Sequence, residues 1–287
     1  MKQSMAERIG SAINYIALCL IAFVTLYPFA YIIFASLSSP AALMRHQGML
    51  FAPVSFTLNA YKTVFANPTI YVGYANTIFY VVAGTALNIL LTTMGAYVLS
   101  RKQLMLRRPL TLLFIFTMYF NGGMIPNFLL INSLNLIDNR LALILPVAIS
   151  TYNMLIMISG FSSIPAALEE SARIDGASDF TILFKVIFPL AKPTIMVIML
   201  YYAVGHWNSW FSAMIYMRSS DKMPLQIYLR DILTKNALGA MNGNDVTDVG
   251  TTIKYATIIV ATLPILCIYP FIQKHFVKGA MIGAVKE

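Results

Sequence analysis

Acidic residues are scarce in this chain: 11 Asp and Glu stand against 20 Lys and Arg in 287 residues, and charged residues of both signs make up only 11%. An ordinary soluble domain is about 25% charged. With 59% hydrophobic residues, too little polar surface remains to cover the apolar mass, so part of it must be solvated by lipid. Cysteine is nearly absent. Cys19 and Cys267 sit in separate apolar runs, where they act as small hydrophobes rather than as a disulfide. His46, His206 and His275 fall in three different compartments of the topology derived below, which excludes a shared metal site, and no Cys/His spacing of a zinc motif occurs. There is no G-x-x-x-x-G-K-[ST] phosphate loop, so ATP hydrolysis is expected on another polypeptide. No Ser-His-Asp, Cys-His or paired-carboxylate pattern marks a catalytic residue, and no basic stretch interleaved with aromatics marks a nucleic-acid partner. The net charge of +9 therefore reads as a topology signal, because Lys and Arg accumulate on cytoplasmic loops.

What is abundant is long apolar runs. Six are near the roughly 20 residues that a spanning helix needs: 12–37, 72–99, 109–131, 140–160, 191–217 and 254–274. In lipid these must be helices, since open strands would leave backbone groups unpaired. The first run is too long for a signal peptide, and the bulky Tyr27-Pro28-Phe29 stands where cleavage needs small residues, so it is read as a retained span. Pro126, Pro146, Pro193, Pro264 and Pro270 lie in or at the start of spans and are expected to kink them. Six spans put both termini on one side. Taking that side as cytoplasmic places 12 of the 20 basic residues inside, four of them (Arg101, Lys102, Arg107, Arg108) in one short loop.

The connection 161–190 is ordered rather than linker-like. Pro165 suits a helix start; Ala166, Ala167, Leu168, Glu169, Glu170 and Ala172 favour helix. Asp175-Gly176 can stop it, with Gly176 left-handed. Ser178 can cap a second helix that ends before Pro189. A short cytoplasmic helix of this kind is suited to docking in a partner's groove.

Glu170-Ser171-Ala172, three residues, Gly176, nine residues, then Val186-Ile187-Phe188-Pro189 resembles the EAA signature of ABC importer permeases, E-A-A, three residues, G, nine residues, I-x-L-P. Ser171, Val186 and Phe188 depart mildly from it. The stretch G-G-M-I-P-N at 122–127, L-I-L-P at 143–146 and the tail from Phe276 to Glu287 are similar to the multi-sugar, maltose-permease-like branch. The resemblance implies an all-α integral membrane protein of the bacterial cytoplasmic membrane, with six spans and a coupling helix between spans four and five. It implies an N-terminal helix and extracytoplasmic segment over 1–71 and a permease core over 72–287. Glu169, Glu170, Ala172, Arg173, Asp175 and Gly176 would meet the ATPase. The implied partners are a second homologous permease, two ATP-binding subunits carrying ATP and Mg, and an extracytoplasmic solute-binding protein that delivers a saccharide and contacts the outer loop 218–253. This chain itself would bind no cofactor.

For the substrate path, Gly205-His206-Trp207-Asn208-Ser209-Trp210-Phe211 sets polar groups beside aromatic faces partway along the fifth run. That mixture suits sugars, which carry apolar C–H faces and many hydroxyls. His206, Trp207, Asn208 and Trp210 are the first candidates; an interfacial aromatic belt is the competing explanation. Asn76, Asn88, Asn121 and Asn127 are weaker ones, since helix–helix hydrogen bonding explains them equally well. An ion-coupled secondary transporter or channel is the alternative function, disfavoured because no repeat is evident and almost no acidic residue lies in a span. A membrane enzyme is disfavoured by the missing catalytic clusters.

Overall fold

The computed structural model describes residues 5–241 and 248–284, with side chains for 5, 8–234, 250–267 and 270. Gly243 of the expected outer loop and residues 285–287 of the tail lie outside the described residues, as does the His275 side chain. Among the described residues the fold is helical, with a single isolated bridge between Ser38 and Phe56.

The helices are α1 (Met5–Ser36), α2 (Pro40–Arg45), α3 (Asn59–Ala66), α4 (Pro68–Ser100), α5 (Arg107–Tyr119), α6 (Met124–Ser133), α7 (Thr151–Ser162) and α8 (Ala166–Ile174). Then come α9 (Asp179–Thr181), a π-helical turn over Ile182–Ile187, α10 (Phe188–Leu190), α11 (Lys192–Trp207), α12 (Phe211–Tyr216), α13 (Leu225–Met241) and α14 (Asp248–Ala284). Three helical stretches, Arg8–Ser36, Pro68–Ser100 and Gly250–Cys267, are long and apolar enough to cross a membrane unbroken. Three more crossings come as bent pairs: Arg107–Tyr119 with Met124–Ser133 at 109°, Arg140–Val147 with Thr151–Ser162 at 50°, and Asp179–Leu190 with Lys192–Trp207 at 87°. The total is six when each pair is one span.

The breaks have local causes. Between α5 and α6 the chain passes through Asn121-Gly122-Gly123, with Gly123 at φ +85°, a conformation that a side chain would oppose. The prolines expected to kink spans three to five instead stand at helix starts: Pro126 in the first turn of α6, Pro146 in a short 3₁₀ turn, Pro193 in the first turn of α11. There a missing N–H costs nothing. Pro264 and Pro270 do lie inside a helix, α14. The fifth run does not continue to 217 as one helix; α11 stops at Trp207 and α12 begins at Phe211. The helix expected to end before Pro189 runs on to Leu190. The wider π-helical turn just before it loosens the backbone against which a proline ring would clash.

The chain divides into two compact units, residues 1–70 with 229–263, and residues 71–228 with 264–287. In the first, Ala35, Leu43 and Leu50 form a small core. The Tyr27 hydroxyl accepts from the Leu50 N–H at 2.9 Å, and Tyr31 meets Tyr255 edge-on with ring centroids 5.8 Å apart. Cys19 and Cys267 are both exposed and unbridged. In the second unit, α4, α7, the π-helical turn and α11 share a core that includes Ile89, Tyr97, Met154, Met157, Phe161, Ile187 and Ile198.

Candidate functional site

The end of α8 is built by the sequence much as its composition requires. Asp175 caps it, the Gly176 N–H donates to the Arg173 carbonyl at 3.0 Å, and the Ala177 N–H reaches back to Ala172 at 3.0 Å. That pair of bonds is a Schellman motif, and it needs the positive φ of +80° found at Gly176. Ala172 and Ala177 both pack on the core. Ser178 then caps α9 by accepting from the Thr181 N–H at 3.3 Å. Pro165 is itself the residue before the first helical turn, one place earlier than expected, so α8 begins at Ala166.

The two glutamates of α8 part company. Glu169 is 7% exposed and points into the chain. Its carboxylate pairs with the Arg101 guanidinium, accepts from Arg173 Nη2 at 3.1 Å and from the Tyr97 hydroxyl at 3.2 Å. Arg101 also lies over the Tyr97 ring at 4.8 Å. Arg173 bridges onward to Asp179 at 2.7 Å, and its bond to Glu169 raises its already high pKa. The cluster therefore ties the end of α4 to α8 and to the start of α9. Glu170, Asp175 and Gly176 remain exposed, together with Leu168 and with Ile174, which is 87% exposed. Glu169 and Ala172, expected to face a partner, instead fasten α8 to its own chain; an α8 side chain one residue away turns by about 100°. Arg101 had been informative only as a topology marker, and no local pattern links it to a residue 68 positions later.

The opposite end of α4 carries a second polar cluster, about 37 Å from Arg101 at 1.5 Å per residue. Asn76, 3% exposed, donates to the carbonyls of Asp221 (2.6 Å) and Met223 (3.2 Å) and accepts from Arg140 at 2.9 Å. Asp138 accepts from the Ser219 hydroxyl and the N–H groups of Ser219 (2.9 Å) and Arg218 (3.0 Å), and pairs with Lys222 at 3.0 Å. Those bonds, the Ser219 hydroxyl first, hold its carboxyl well below the usual carboxylate range. Asn76 is thus occupied in pinning this end together.

The aromatic-polar stretch splits in the same way. His206 and Trp207 are buried, at 5% and 6%. His206 Nε2 bonds Asn88 Oδ1 at 2.7 Å, while Asn88 donates to the carbonyls of Val147 (2.6 Å) and Ala148 (2.9 Å), which the turn before α7 leaves open. Trp207 meets Tyr74 edge-on at 6.4 Å. These are packing positions, since the turn of α11 that carries them faces α4. Asn208 and Trp210 are exposed in the break between α11 and α12, with Trp210 against Phe211. Asn121 is exposed in the break before α6, where it accepts from the Gly123 N–H at 2.8 Å; Asn127 stands 3.5 Å from its oxygen. Among the described residues no three His, Cys, Asp or Glu side chains group closely enough to hold a metal ion.

Three comparisons bear on this geometry. The family described as "Binding-protein-dependent transport system inner membrane component" matches residues 92–281. The Polygalacturonan/rhamnogalacturonan transport system permease protein YtcP of Bacillus subtilis (strain 168) is 42% identical over 289 residues, covering 98% of this chain and all of that one. Protein LplC of the same organism is also 42% identical, over 100% of this chain and 98% of its own. Among solved structures, a chain of a bacterial ABC transporter involved in the import of the acidic polysaccharide alginate superposes with a TM-score of 0.87 at 38% identity, covering 96% of this chain and 99% of that one.

Proposed function

Since the chain belongs to the family of binding-protein-dependent transport system inner membrane components, we propose that it is the permease subunit of an ABC importer that carries a saccharide delivered by an extracytoplasmic binding protein. It is a membrane component and not itself catalytic. The single observation that carries its mechanism is the form of α8. This helix is rooted in its own chain through Glu169 and Arg101, yet presents Leu168, Glu170 and Ile174 outward. An exposed apolar and acidic helix face beside a basic loop is suited to the groove of a separate ATP-binding subunit. Closure of two such subunits around ATP and Mg would push α8, and the rigid Glu169 cluster would pass that displacement to α4 and, through Asp179, to the bent α9–α11 span.

The relatives' printed substrates, polygalacturonan, rhamnogalacturonan and alginate, support a saccharide as cargo. The complete importer would contain a second homologous permease and two ATPase subunits, with both termini of this chain cytoplasmic. The contact of the 100–108 loop with the 161–178 segment supports that topology, because it puts the most basic loop and α8 at one end. Asn208 and Trp210, exposed at the α11–α12 break, are the members of the aromatic-polar stretch placed to meet cargo; His206 and Trp207 are not.

The test is copurification with the ATPase subunit and reconstitution. Glu170→Ala with Gly176→Val removes an outward charge and opposes the positive φ at the end of α8, which costs about 1–2 kcal/mol for a side-chain-bearing residue. Saccharide-stimulated ATP hydrolysis and uptake should fall and ATPase retention weaken, while saccharide binding to the external protein stays intact. Normal coupling in that variant would refute the role of α8. Labelling of a cysteine at position 103 from outside intact cells would refute the topology.

A further inference from the structure

Three buried asparagines with described side chains lie in the second unit: Asn76, Asn88 and Asn153. The first two spend their amides on backbone carbonyls and on Arg140 or His206. Asn153, 6% exposed, is different. Its backbone N–H donates to Ser150 Oγ at 3.4 Å, but its side-chain amide makes no hydrogen bond to any described residue. It lines a cavity of about 370 Å³ between the segments 143–153 and 201–212. Buried polar groups are normally satisfied, and one that is not requires an explanation.

The cavity wall supplies one. It has no Asp, Glu, Lys or Arg; besides Asn153 it carries the hydroxyl residues Ser150, Ser209 and Ser212, the ring of Tyr201 and the bare backbone of Gly205. Its volume lies at the lower end of the ~300–1,000 Å³ of small-ligand sites. Asn153 lies nine residues before the end of α7, and Tyr201 nine residues after the start of α11. At 1.5 Å per residue each is about 13 Å from the α8 end, close to the middle of a ~30 Å hydrocarbon layer. An uncharged, hydroxyl- and amide-lined hollow at that depth is wasteful for lipid tails, which would leave every donor unpaired.

We infer that this cavity is a subsite for the hydroxyl-bearing face of one sugar ring of the transported saccharide. The Asn153 amide and the Ser209 and Ser212 hydroxyls meet ring hydroxyls, and Tyr201 offers its face to ring C–H groups. With no cation in the wall, a uronic carboxylate of the same ring must lie outside it. The inference rests on the saccharide-import reading.

Gly205 provides the cleanest perturbation. A Cβ added there meets no atom within 4 Å, so Gly205→Leu adds bulk beside the cavity without displacing the chain. The reconstituted importer with its partners is assayed for uptake of radiolabelled neutral (arabino- and malto-) and acidic (galacturonate) oligosaccharides, first with the wild type and then with Gly205→Leu, Asn153→Leu and Asn153→Gln. Melting temperature, ATPase retention and basal hydrolysis should match wild type. Uptake should fall at least tenfold in both leucine variants, with the KM for uptake raised in Asn153→Leu and partly restored in Asn153→Gln. A Gly205→Cys variant should react with a hydrophilic thiol reagent, and saturating transported saccharide should slow that reaction. Wild-type uptake with unimpaired leucine variants overturns this inference alone, as does a Gly205→Cys thiol that only a lipid-soluble reagent reaches. If the wild type takes up none of the saccharides, the import reading fails and the subsite with it.

Discussion

Glu169→Gln removes one charge from the centre of the ion cluster and leaves the side chain's shape almost unchanged. Removing one partner of a buried ion pair costs ~3–5 kcal/mol. The Arg101 side chain is 20% exposed, so water relieves part of that cost. The Arg173 side chain is 49% exposed and keeps Asp179, so its loss adds little. About 2–3 kcal/mol remains for the Arg101 contact. At 1.4 kcal/mol per tenfold, the population in which α8 is detached from the end of α4 should rise roughly 30- to 150-fold. Hydrogen exchange measured by mass spectrometry on the complex in nanodiscs reads this directly. Peptides covering 166–177 should lose protection by that factor, while peptides around Thr92 and Tyr202, joined by a 2.7 Å hydroxyl bond, should not change. Transport should fall more than ATPase retention, since the outward Glu170 face is untouched. Exchanging the charges in an Arg101→Glu, Glu169→Arg pair should recover part of the protection. Unchanged exchange over 166–177 would refute the reasoning, and so would an equal loss at every peptide, which would make Glu169 a general stabiliser rather than the root of α8.

Gly84→Ala would place a Cβ 2.4 Å from His206 Nε2, a ring already fixed by Asn88, so α4 and α11 must separate. The expected cost is ~1–3 kcal/mol, seen as a lowered melting temperature in detergent. Gly95→Ala, whose Cβ would sit 3.3 Å from the flexible Met154 Sδ, should be nearly neutral and serves as the control. Asp138 has a lowered pKa, so its contribution is present above its unfolded value near 3.8 and is lost as pH falls through the folded one. The melting-temperature difference between wild type and Asp138→Asn should therefore be constant from pH 7 to 5 and shrink below about pH 4; a difference that shrinks already between pH 7 and 5 would show that other groups control that turn.

Much of this molecule follows from local chemistry. The six apolar runs needed only hydropathy to locate, because lipid demands about 20 apolar residues whatever they pack against. The end of α8 was equally legible: Gly176 and Ser178 act on backbone groups within a turn of themselves, so their positive φ and cap can be read from the residues alone. The proline breaks were half legible. Composition marks a proline, but whether it kinks a helix or starts a new one depends on what satisfies the neighbouring carbonyls, and at Val147 and Ala148 that is Asn88, 59 and 60 residues away.

Facing was decided only by tertiary structure. Glu169 and Glu170 have the same chemistry and adjacent positions; Arg101 and Tyr97, from a helix end far away in sequence, determine which turns inward. Four polar or aromatic residues between 206 and 210 looked equivalent, yet His206 and Trp207 are packed while Asn208 and Trp210 are open. Asn153 gave no signal in the sequence, because an asparagine in a helix is ordinary until its amide is found buried without a partner. Propensity and capping act over one or two turns and are written locally, whereas burial of a polar group is a property of whichever distant segments close over it.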